Sequence, residues 1–197
     1  MSVLVPYISP YNQDITGAVH FENAGQAPSF SHWFGTDAVG RDVFTITIRA
    51  AFFSLKIAFG VVVFSVLLGV PIGMFAGLSG KRTEEIIMRI TDGFLAFPPL
   101  ILPLVITTIL GPSLNNVILG ITASWFPWYV RIARSQSLVI SSLDYVSISM
   151  SMGAGKLHII KKHILPNSIN PILTQASIDA GYAILTSAGL SFIGLGA

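Results

Sequence analysis

Residues 57–78 read I-A-F-G-V-V-V-F-S-V-L-L-G-V-P-I-G-M-F-A-G-L and contain no charged side chain. A helix of this length extends about 33 Å at roughly 1.5 Å per residue, and the hydrocarbon core of a bilayer is about 30 Å thick. Ser65, the glycines and Pro71 are the irregularities of an otherwise apolar run. The segment therefore predicts a membrane span, which we draw from Ser54 to Leu78.

The composition of the whole chain agrees with a membrane protein. Hydrophobic residues make up 52% of the 197 residues and charged residues 10%, below the roughly 25% of soluble domains. The mean hydropathy is +0.73. A net charge of +2 without a long basic run argues against nucleic-acid binding, and the absence of cysteine excludes disulfides and thiolate metal sites. We expect an all-α integral membrane protein in contact with the lipid bilayer.

Three further apolar segments, 94–110, 114–130 and 169–190, extend the prediction to four spans. The segment 114–130 ends in aromatic residues, which are enriched at membrane interfaces. The other two segments are less regular, because 94–110 contains three prolines and 169–190 carries polar side chains. Those polar side chains are Asn170, Gln175 and Asp179.

The basic residues predict the orientation of these spans. The connections 79–93 and 131–167 lie on the same side by parity and hold eight of the eleven Lys and Arg residues. Since Lys and Arg are enriched in cytoplasmic loops, this side is predicted to be cytoplasmic. Residues 1–49 would then form an extracytoplasmic tail, residues 50–197 a transmembrane domain, and residues 131–167 a cytoplasmic loop.

The two ends of the chain favour a fragment. The tail must reach the outer side, but Met1–Val5 is too short for the apolar region of a signal peptide, and no basic region precedes it. The chain also stops at residues 194–197, just after a span. We expect a piece of a larger membrane protein that lacks the first and last helices; a complete four-span protein is the alternative.

The segment Asp144–Pro166 is a polar insert that reads D-Y-V-S-I-S-M-S-M-G-A-G-K-L-H-I-I-K-K-H-I-L-P. Tyr145, Ile148 and Met152 recur at i, i+3 and i+7, which places them on one helical face. The glycines that begin at Gly153 should end this helix, because glycine costs about 1 kcal/mol inside a helix. The first half of the insert is predicted to be a helix with an apolar face.

The second half of the insert predicts a short amphipathic helix. Leu157, Ile160 and Ile164 form its apolar stripe, and Pro166 must end it or open the next helix because proline has no amide donor. Such a helix fits either a groove on a protein partner or the surface of the membrane, where its lysines meet anionic head groups. Periodicity alone leaves both readings open.

The same residues carry a family resemblance. The insert matches a known loop sequence, E-Y-V-E-A-A-R-A-L-G … R-H-I-L-P-N, in three places at the same spacing. The matching residues are Tyr145-Val146, Gly153 and the run from His163 to Asn167. This is similar to the cytoplasmic loop of ABC-importer permease subunits in the peptide and nickel branch. Matches in the same order extend the resemblance over about Trp33 to Ala197. The further matches lie in residues 34–37, 40–44, 88–98 and 183–196.

The loop departs from the family pattern at one position. Ser147 stands where the family has the glutamate after which the loop is named, and Asp144 keeps one negative charge nearby. This difference bears on how strongly the loop would couple to the ATP-binding subunits of such an importer, and not on the fold.

The resemblance implies a type I importer permease-like helical bundle, with about four of an expected six spans in this chain. It implies a second permease subunit, cytoplasmic ATP-binding subunits that receive the loop, and an extracytoplasmic binding protein, all at the cell membrane. The solute would be a peptide, a nickel chelate or a similar small molecule. The residues implied in coupling are Asp144, Tyr145, Ser147, Gly153, Ala154, Leu157, Ile160, His163, Leu165 and Pro166.

Asp179 and Gln175 are candidate pathway residues. An unpaired charge inside a span costs several kcal/mol, so Asp179 either faces a wet pathway or pairs with a neighbouring helix nearer the interface. Both interpretations remain open from the sequence.

Three local patterns predict structure rather than chemistry. Glycine and aspartate between Gly35 and Asp42 predict an ordered turn, which is also a candidate partner contact. Glu85 and Arg89 are spaced for an i, i+4 ion pair on an exposed helix, as Glu84 and Arg89 are at i, i+5. Lys56 is expected to begin the first span.

Motifs for catalysis and cofactors are missing from the sequence. It contains no G-x-x-x-x-G-K-[ST] phosphate loop, no G-x-S-x-G and no H-E-x-x-H. The four histidines show no zinc-like spacing, and His158 and His163, at i, i+5, are not expected to share a helical face. Together with the family resemblance, which implies a transmembrane subunit of an ATP-driven importer, this leads us to expect that the chain is not itself an enzyme. The alternatives are an ATP-independent secondary transporter or channel, or a truncated remnant that does not transport.

Overall fold

The computed structural model describes Tyr11, Gln13, Asp14 and residues 17–195. The expectations about Met1–Val5 and about the last two residues lie outside this described part. The chain divides into two compact units, Met1–Lys56 and Ile57–Ala197.

The described part of the chain is built from helices. A 3-10 turn at Phe21–Asn23 comes first. A π-turn at Ile160–Ile164 joins the last two helices, so helical backbone runs without a break from Lys156 to Phe192. The helices are α1 (Val43–Gly77), α2 (Lys81–Leu95), α3 (Ile101–Leu110), α4 (Leu114–Ser141), α5 (Asp144–Ser151), α6 (Lys156–Ile159) and α7 (Leu165–Phe192).

Helix α1 covers the predicted first span except for Leu78 and begins well before it. Asp42 caps the helix, because its Oδ2 atom accepts the backbone N–H of Thr45 at 2.7 Å. Lys56 therefore lies inside the helix rather than at its start, with its Nζ atom 4.5 Å from the Phe52 ring centroid. Among the described residues, α1 is the one helix whose length and apolar composition would let it cross a membrane.

The segment 94–110, predicted as one span, is not one continuous helix. Helix α2 ends at Leu95 and α3 begins at Ile101. Pro98 and Pro99 separate them, because neither has an amide donor and each disfavours a helical conformation of the residue before it. With only ten residues, α3 is about 15 Å long, roughly half the thickness of the hydrocarbon core.

The third and fourth predicted segments lie inside longer helices. Helix α4 continues beyond Val130 to Ser141, so the first part of the predicted loop 131–167 is helical. Helix α7 extends the segment 169–190 at both ends. Hydropathy located only the apolar part of each helix, since a helix does not end where its side chains become polar.

Helices α1 and α4 pack with their backbones in close approach. Gly69, Gly73 and Gly77 lie four residues apart and share one face of α1. A Cβ atom at Gly73 would lie 2.2 Å from the carbonyl oxygen of Val130. Glycine at this spacing is typical of helix contacts in membranes, so the stripe fixes where the two helices meet.

Two ion pairs link helix α2 to α4. Arg131 Nη2 lies 2.7 Å from Asp92 Oδ1, and Arg134 pairs with Glu84. Glu84 therefore does not pair with Arg89. The i, i+4 pair between Glu85 and Arg89 is confirmed at 2.7 Å.

A cluster of buried apolar side chains, here called the hairpin core, joins α1 and α4 to the segment 144–172. Its members come from five separate stretches of the chain and are at most 5% exposed. They are Val70, Met74, Tyr129, Ala133, Ile140, Val146, Ile159, Ile164 and Ile172.

Candidate functional site

The segment 144–166 folds as a helical hairpin. Helix α5 ends at Ser151, and Gly155 is the N-cap of α6. Between them Gly153 adopts a φ of +91°, a left-handed conformation that favours glycine. The predicted break at Gly153 is confirmed.

Three side chains anchor this hairpin to the rest of the bundle. Val146, Ile159 and Ile164 are 0–1% exposed and belong to the hairpin core. Ala154, in the turn, packs partly buried against the same cluster. The hairpin is therefore seated on α1 and α4 and does not project freely.

The opposite side of the hairpin presents apolar side chains to its surroundings. Tyr145 and Ile148 are about half exposed, Leu157 is 63% exposed and Met152 is 83% exposed. The predicted face of α5 is thus present, and it is accessible. We call these four residues, Tyr145, Ile148, Met152 and Leu157, the exposed apolar face.

The predicted stripe of Leu157, Ile160 and Ile164 is wrong as a single face. Leu157 is exposed, Ile160 is partly buried and Ile164 is fully buried. The π-turn is the cause, because i→i+5 hydrogen bonding changes the phase of the helix. Ile159 and Ile164, five residues apart, consequently point into the same core.

The π-turn also brings His158 and His163 onto one side, contrary to expectation. Their ring centroids are 6.0 Å apart, and the Tyr145 ring lies 5.6 Å from that of His163. Asn167 Nδ2 donates to the His163 carbonyl at 2.6 Å and lies 3.5 Å from the Tyr145 hydroxyl. The closing residues of the predicted motif thus tie α5 to the second arm of the hairpin.

The remaining predicted loop residues lie at the surface. Asp144 is the first residue of α5, where a negative charge is favourable near the helix N-terminus, and Ser147 is exposed. Leu165 and Pro166 are exposed in the first turn of α7, so the proline opens this helix. Within the described residues, no group of three or more His, Asp or Glu side chains could hold a metal ion.

The two predicted pathway residues lie together in a second place. Gln175 Nε2 donates to Asp179 Oδ1 at 2.8 Å, one helical turn away on α7. Both line a cavity of about 570 Å³. Its other lining residues are Pro99, Leu100, Trp125, Trp128, Tyr182, Leu185, Thr186 and Gly189.

Sequence reasoning missed the aromatic wall of this cavity. Trp125 and Trp128 belong to the aromatic end of an apolar segment, which by itself indicates a membrane interface, and no local pattern links Tyr182 to them. The spacing of Gln175, Asp179 and Tyr182 at i, i+4 and i+7 on α7 was the signal that could have grouped them.

The turn between Gly35 and Asp42 is ordered, as predicted. The Asp37 carboxylate accepts backbone N–H bonds from Arg41 and Val39 and a side-chain bond from Arg41, all at 2.8–3.0 Å. The bond from the Arg41 backbone N–H is the main cause that lowers the pKa of Asp37. Gly40 has a φ of +83°, and a Cβ atom there would collide with the His20 carbonyl.

Comparison with known proteins identifies the family. Residues 69–197 match the family described as the binding-protein-dependent transport system inner membrane component. The chain belongs to this family. Its location in a membrane follows, and the resemblance to ABC-importer permeases is confirmed.

Three curated relatives show the branch of this family. The chain is 45% identical over 170 residues to a probable D,D-dipeptide transport permease, DdpC, of Escherichia coli K12, covering 86% of this chain and 57% of that protein. It is 41% identical over 175 residues to the dipeptide transport permease DppC of Alkalihalophilus pseudofirmus, covering 89% and 58%. It is 34% identical over 191 residues to the glutathione transport permease GsiD of Pectobacterium atrosepticum, covering 97% and 63%. The chain thus spans about three fifths of the length of these relatives.

A solved structure shows the same fold. The chain resembles the MetNI methionine ABC transporter in an inward-facing conformation, with a TM-score of 0.68 over 77% of this chain and 76% of that one. The sequences are 21% identical, so the likeness concerns the fold alone. The expected all-α, type I importer permease-like bundle is confirmed.

Proposed function

We propose that this chain forms part of the membrane path of an ATP-driven, binding-protein-dependent importer of small peptides. The hairpin 144–166 docks on a cytoplasmic ATP-binding subunit and transmits its movement to the path. A second permease subunit completes the path, and an extracytoplasmic binding protein delivers the solute at the plasma membrane. The chain itself carries out no catalysis.

The observation that carries this proposal is the two-sided construction of the hairpin. One side is fixed by Val146, Ile159 and Ile164, and the other side leaves four large apolar residues exposed. An apolar helix face gains about 25 cal/mol for each Å² that a partner removes from water. A seated hairpin with an uncovered apolar face is suited to receive a partner and to pass a force to α1 and α4.

The names of the relatives support the solute class. Relatives of 34–45% identity are named for dipeptide, D,D-dipeptide and glutathione transport, and all of these solutes are small peptides. A nickel chelate stays an expectation from the sequence resemblance.

Cysteine crosslinking in the assembled transporter tests the docking. The chain has no cysteine, so each of the single variants Met152→Cys and Leu157→Cys places one defined thiol in this chain for crosslinking to the ATP-binding subunit. Met152 is preferable to Gly153, whose left-handed backbone strains any side chain. Ile90→Cys is the control, because Ile90 is an apolar residue on α2 with nearly the same exposure as Leu157.

We expect crosslinks from positions 152 and 157 and a much weaker one from position 90. Absence of crosslinks in a complex that contains the ATP-binding subunit would contradict the docking, as would equal reaction at Ile90. Peptide uptake should also stop when the ATP-binding subunit is deleted. Continued uptake would favour a secondary transporter, and an assembled complex without any uptake would favour a remnant.

A further inference from the structure

The Asp179 carboxylate carries a charge that the described part of the protein does not neutralise. Asp179 is 9% exposed on α7, and none of the ion pairs among the described residues includes it. Its Oδ1 atom accepts one hydrogen bond from the neutral amide of Gln175. A buried carboxylate without a cation is costly, so a positive group in the adjoining cavity would be bound favourably.

A second polar group lies beside this carboxylate. The Tyr129 side chain is fully buried, and its hydroxyl interacts with the Asp179 carboxylate without reaching the geometry of a full hydrogen bond. A tyrosine hydroxyl is a neutral donor, so this contact does not supply the missing positive charge.

The walls of the cavity have the chemistry that complements a cation. Trp125, Trp128 and Tyr182 line the same space as Asp179. The face of an aromatic ring attracts ammonium groups, and tryptophan does so most strongly. A carboxylate among aromatic side chains is therefore suited to an alkylammonium group and unsuited to an anion.

Resting on the proposed transport function, we propose that this cavity is a solute-binding site for the ammonium group of a small peptide. Asp179 is the charge partner, Gln175 fixes its carboxylate through Oδ1, and the three aromatic residues form the wall. A free peptide carries a positive α-amino group at pH 7, since the usual pKa of that group is about 7.7–8.0. The volume of about 570 Å³ lies within the roughly 300–1,000 Å³ of small-molecule sites.

Equilibrium binding of radiolabelled dialanine to the purified, assembled transporter tests this site. The binding protein is omitted so that it does not bind the probe, and ATP is omitted so that binding does not depend on turnover. N-acetyl-dialanine is the matched probe, because acetylation removes the ammonium charge and leaves the rest of the peptide. We expect dialanine to bind at least tenfold more tightly than its acetylated form.

Variants of Asp179 assign the preference to this carboxylate. Asp179→Asn keeps the size and the hydrogen bond to Gln175, and should weaken dialanine binding about tenfold while leaving binding of the acetylated form unchanged. Asp179→Glu keeps the charge and should retain the preference. Trp128→Leu should weaken dialanine binding severalfold. Glu85→Gln, on the exposed surface of α2, is the charge-matched control and should change nothing.

Three results would overturn the inference. They are equal binding of the two probes, no binding of dialanine, and a preference that survives in Asp179→Asn. These readouts require neither ATP nor the hairpin contact. A failed crosslink with a preserved dialanine preference would therefore refute the coupling proposal alone, and the reverse pattern would refute the cavity alone.

Discussion

The hairpin 144–166 and the N-terminal turn, residues 35–45, are both short segments, but they use their polar and apolar groups in opposite ways. In the turn, the Asp42 carboxylate is 2% exposed and lies within 3.0 Å of His32 Nδ1, the Thr45 hydroxyl and the Thr45 N–H. Asp37 is likewise surrounded by donors. The hairpin has few such bonds and is held by apolar anchors.

This difference separates a segment that completes its own structure from one that leaves an interaction open. The carboxylates of the turn find their partners within residues 32–45, which accounts for the order of its backbone. In the hairpin, one side is buried in the hairpin core, whereas Met152 and Leu157 stay exposed. An exposed apolar patch beside a fixed core is a sign of a binding surface, whereas a saturated polar network is usually structural.

The largest expected effect separates the two sides of the hairpin. Ile164→Ala removes buried methylene and methyl groups and should cost about 2–5 kcal/mol. Leu157→Ala, on the exposed side, should change stability by no more than about 0.5 kcal/mol. Thermal unfolding of the purified complex gives the ranking, and hydrogen exchange of α5 shows whether the hairpin opens. Equal losses for the two variants would remove the distinction between anchor and exposed face.

The next effect concerns the cap of α1. Asp42→Ala deletes the acceptor for Thr45 N–H and should cost about 1–2 kcal/mol, mostly as opening at the start of α1. Hydrogen exchange should accelerate over residues 42–46 and stay unchanged in the hairpin. Asp42→Asn keeps an acceptor oxygen and should lose less. Acceleration in both segments would mean that the turn and the hairpin unfold as one unit.

A smaller effect tests the contact between the two arms of the hairpin. Tyr145→Ala removes the ring that lies 5.6 Å from His163 and should destabilise α5 by about 0.5–1.5 kcal/mol. Tyr145→Phe keeps the ring and loses only a long contact with Asn167, so its cost should be a few tenths of a kcal/mol. Local hydrogen exchange in α5 measures both. A larger loss for Phe than for Ala would show that the hydroxyl, not the ring, joins the arms.

The smallest effect is a pH dependence confined to the turn. Because the folded-state pKa of Asp37 is lowered below its ordinary value of 3.8, its stabilising contribution is complete above that value. The contribution is lost as the pH falls through the folded-state pKa. Hydrogen exchange at Val39 and Arg41, corrected for its intrinsic pH dependence, should show this loosening in acid. The Asp37→Asn variant should not show it.

Part of this architecture was accessible from the sequence because it depends on local spacing. The exposed face of α5, the break at Gly153 and the order of the turn follow from residues close together in the chain. The stripe Gly69, Gly73 and Gly77 was also readable, since its four-residue spacing predicts a close helix contact. The sequence did not reveal that this stripe contacts α4, because the spacing within one helix does not identify the helix that packs against it.

The rest depended on contacts that no local pattern contains. Glu84 was grouped with Arg89, but its partner is Arg134, fifty residues later. The burial of Ile164 followed from the π-turn, which a regular helical period does not describe. The α7 residues that line the cavity are spaced at helical intervals, so the sequence alone could group them. Trp125 and Trp128 line the same cavity only because α4 packs beside α7.

The unbroken helical backbone from Lys156 to Phe192 has a mechanical consequence. Along the helix axis, Ile164 in the hairpin and Asp179 in the cavity are about 22 Å apart at roughly 1.5 Å per residue. If the hairpin moves as we propose, an axial displacement would reach Asp179 through continuous helix, without passing through a loop. Pro171 lies midway, and because it has no amide to donate to the Asn167 carbonyl, we expect the helix to bend there.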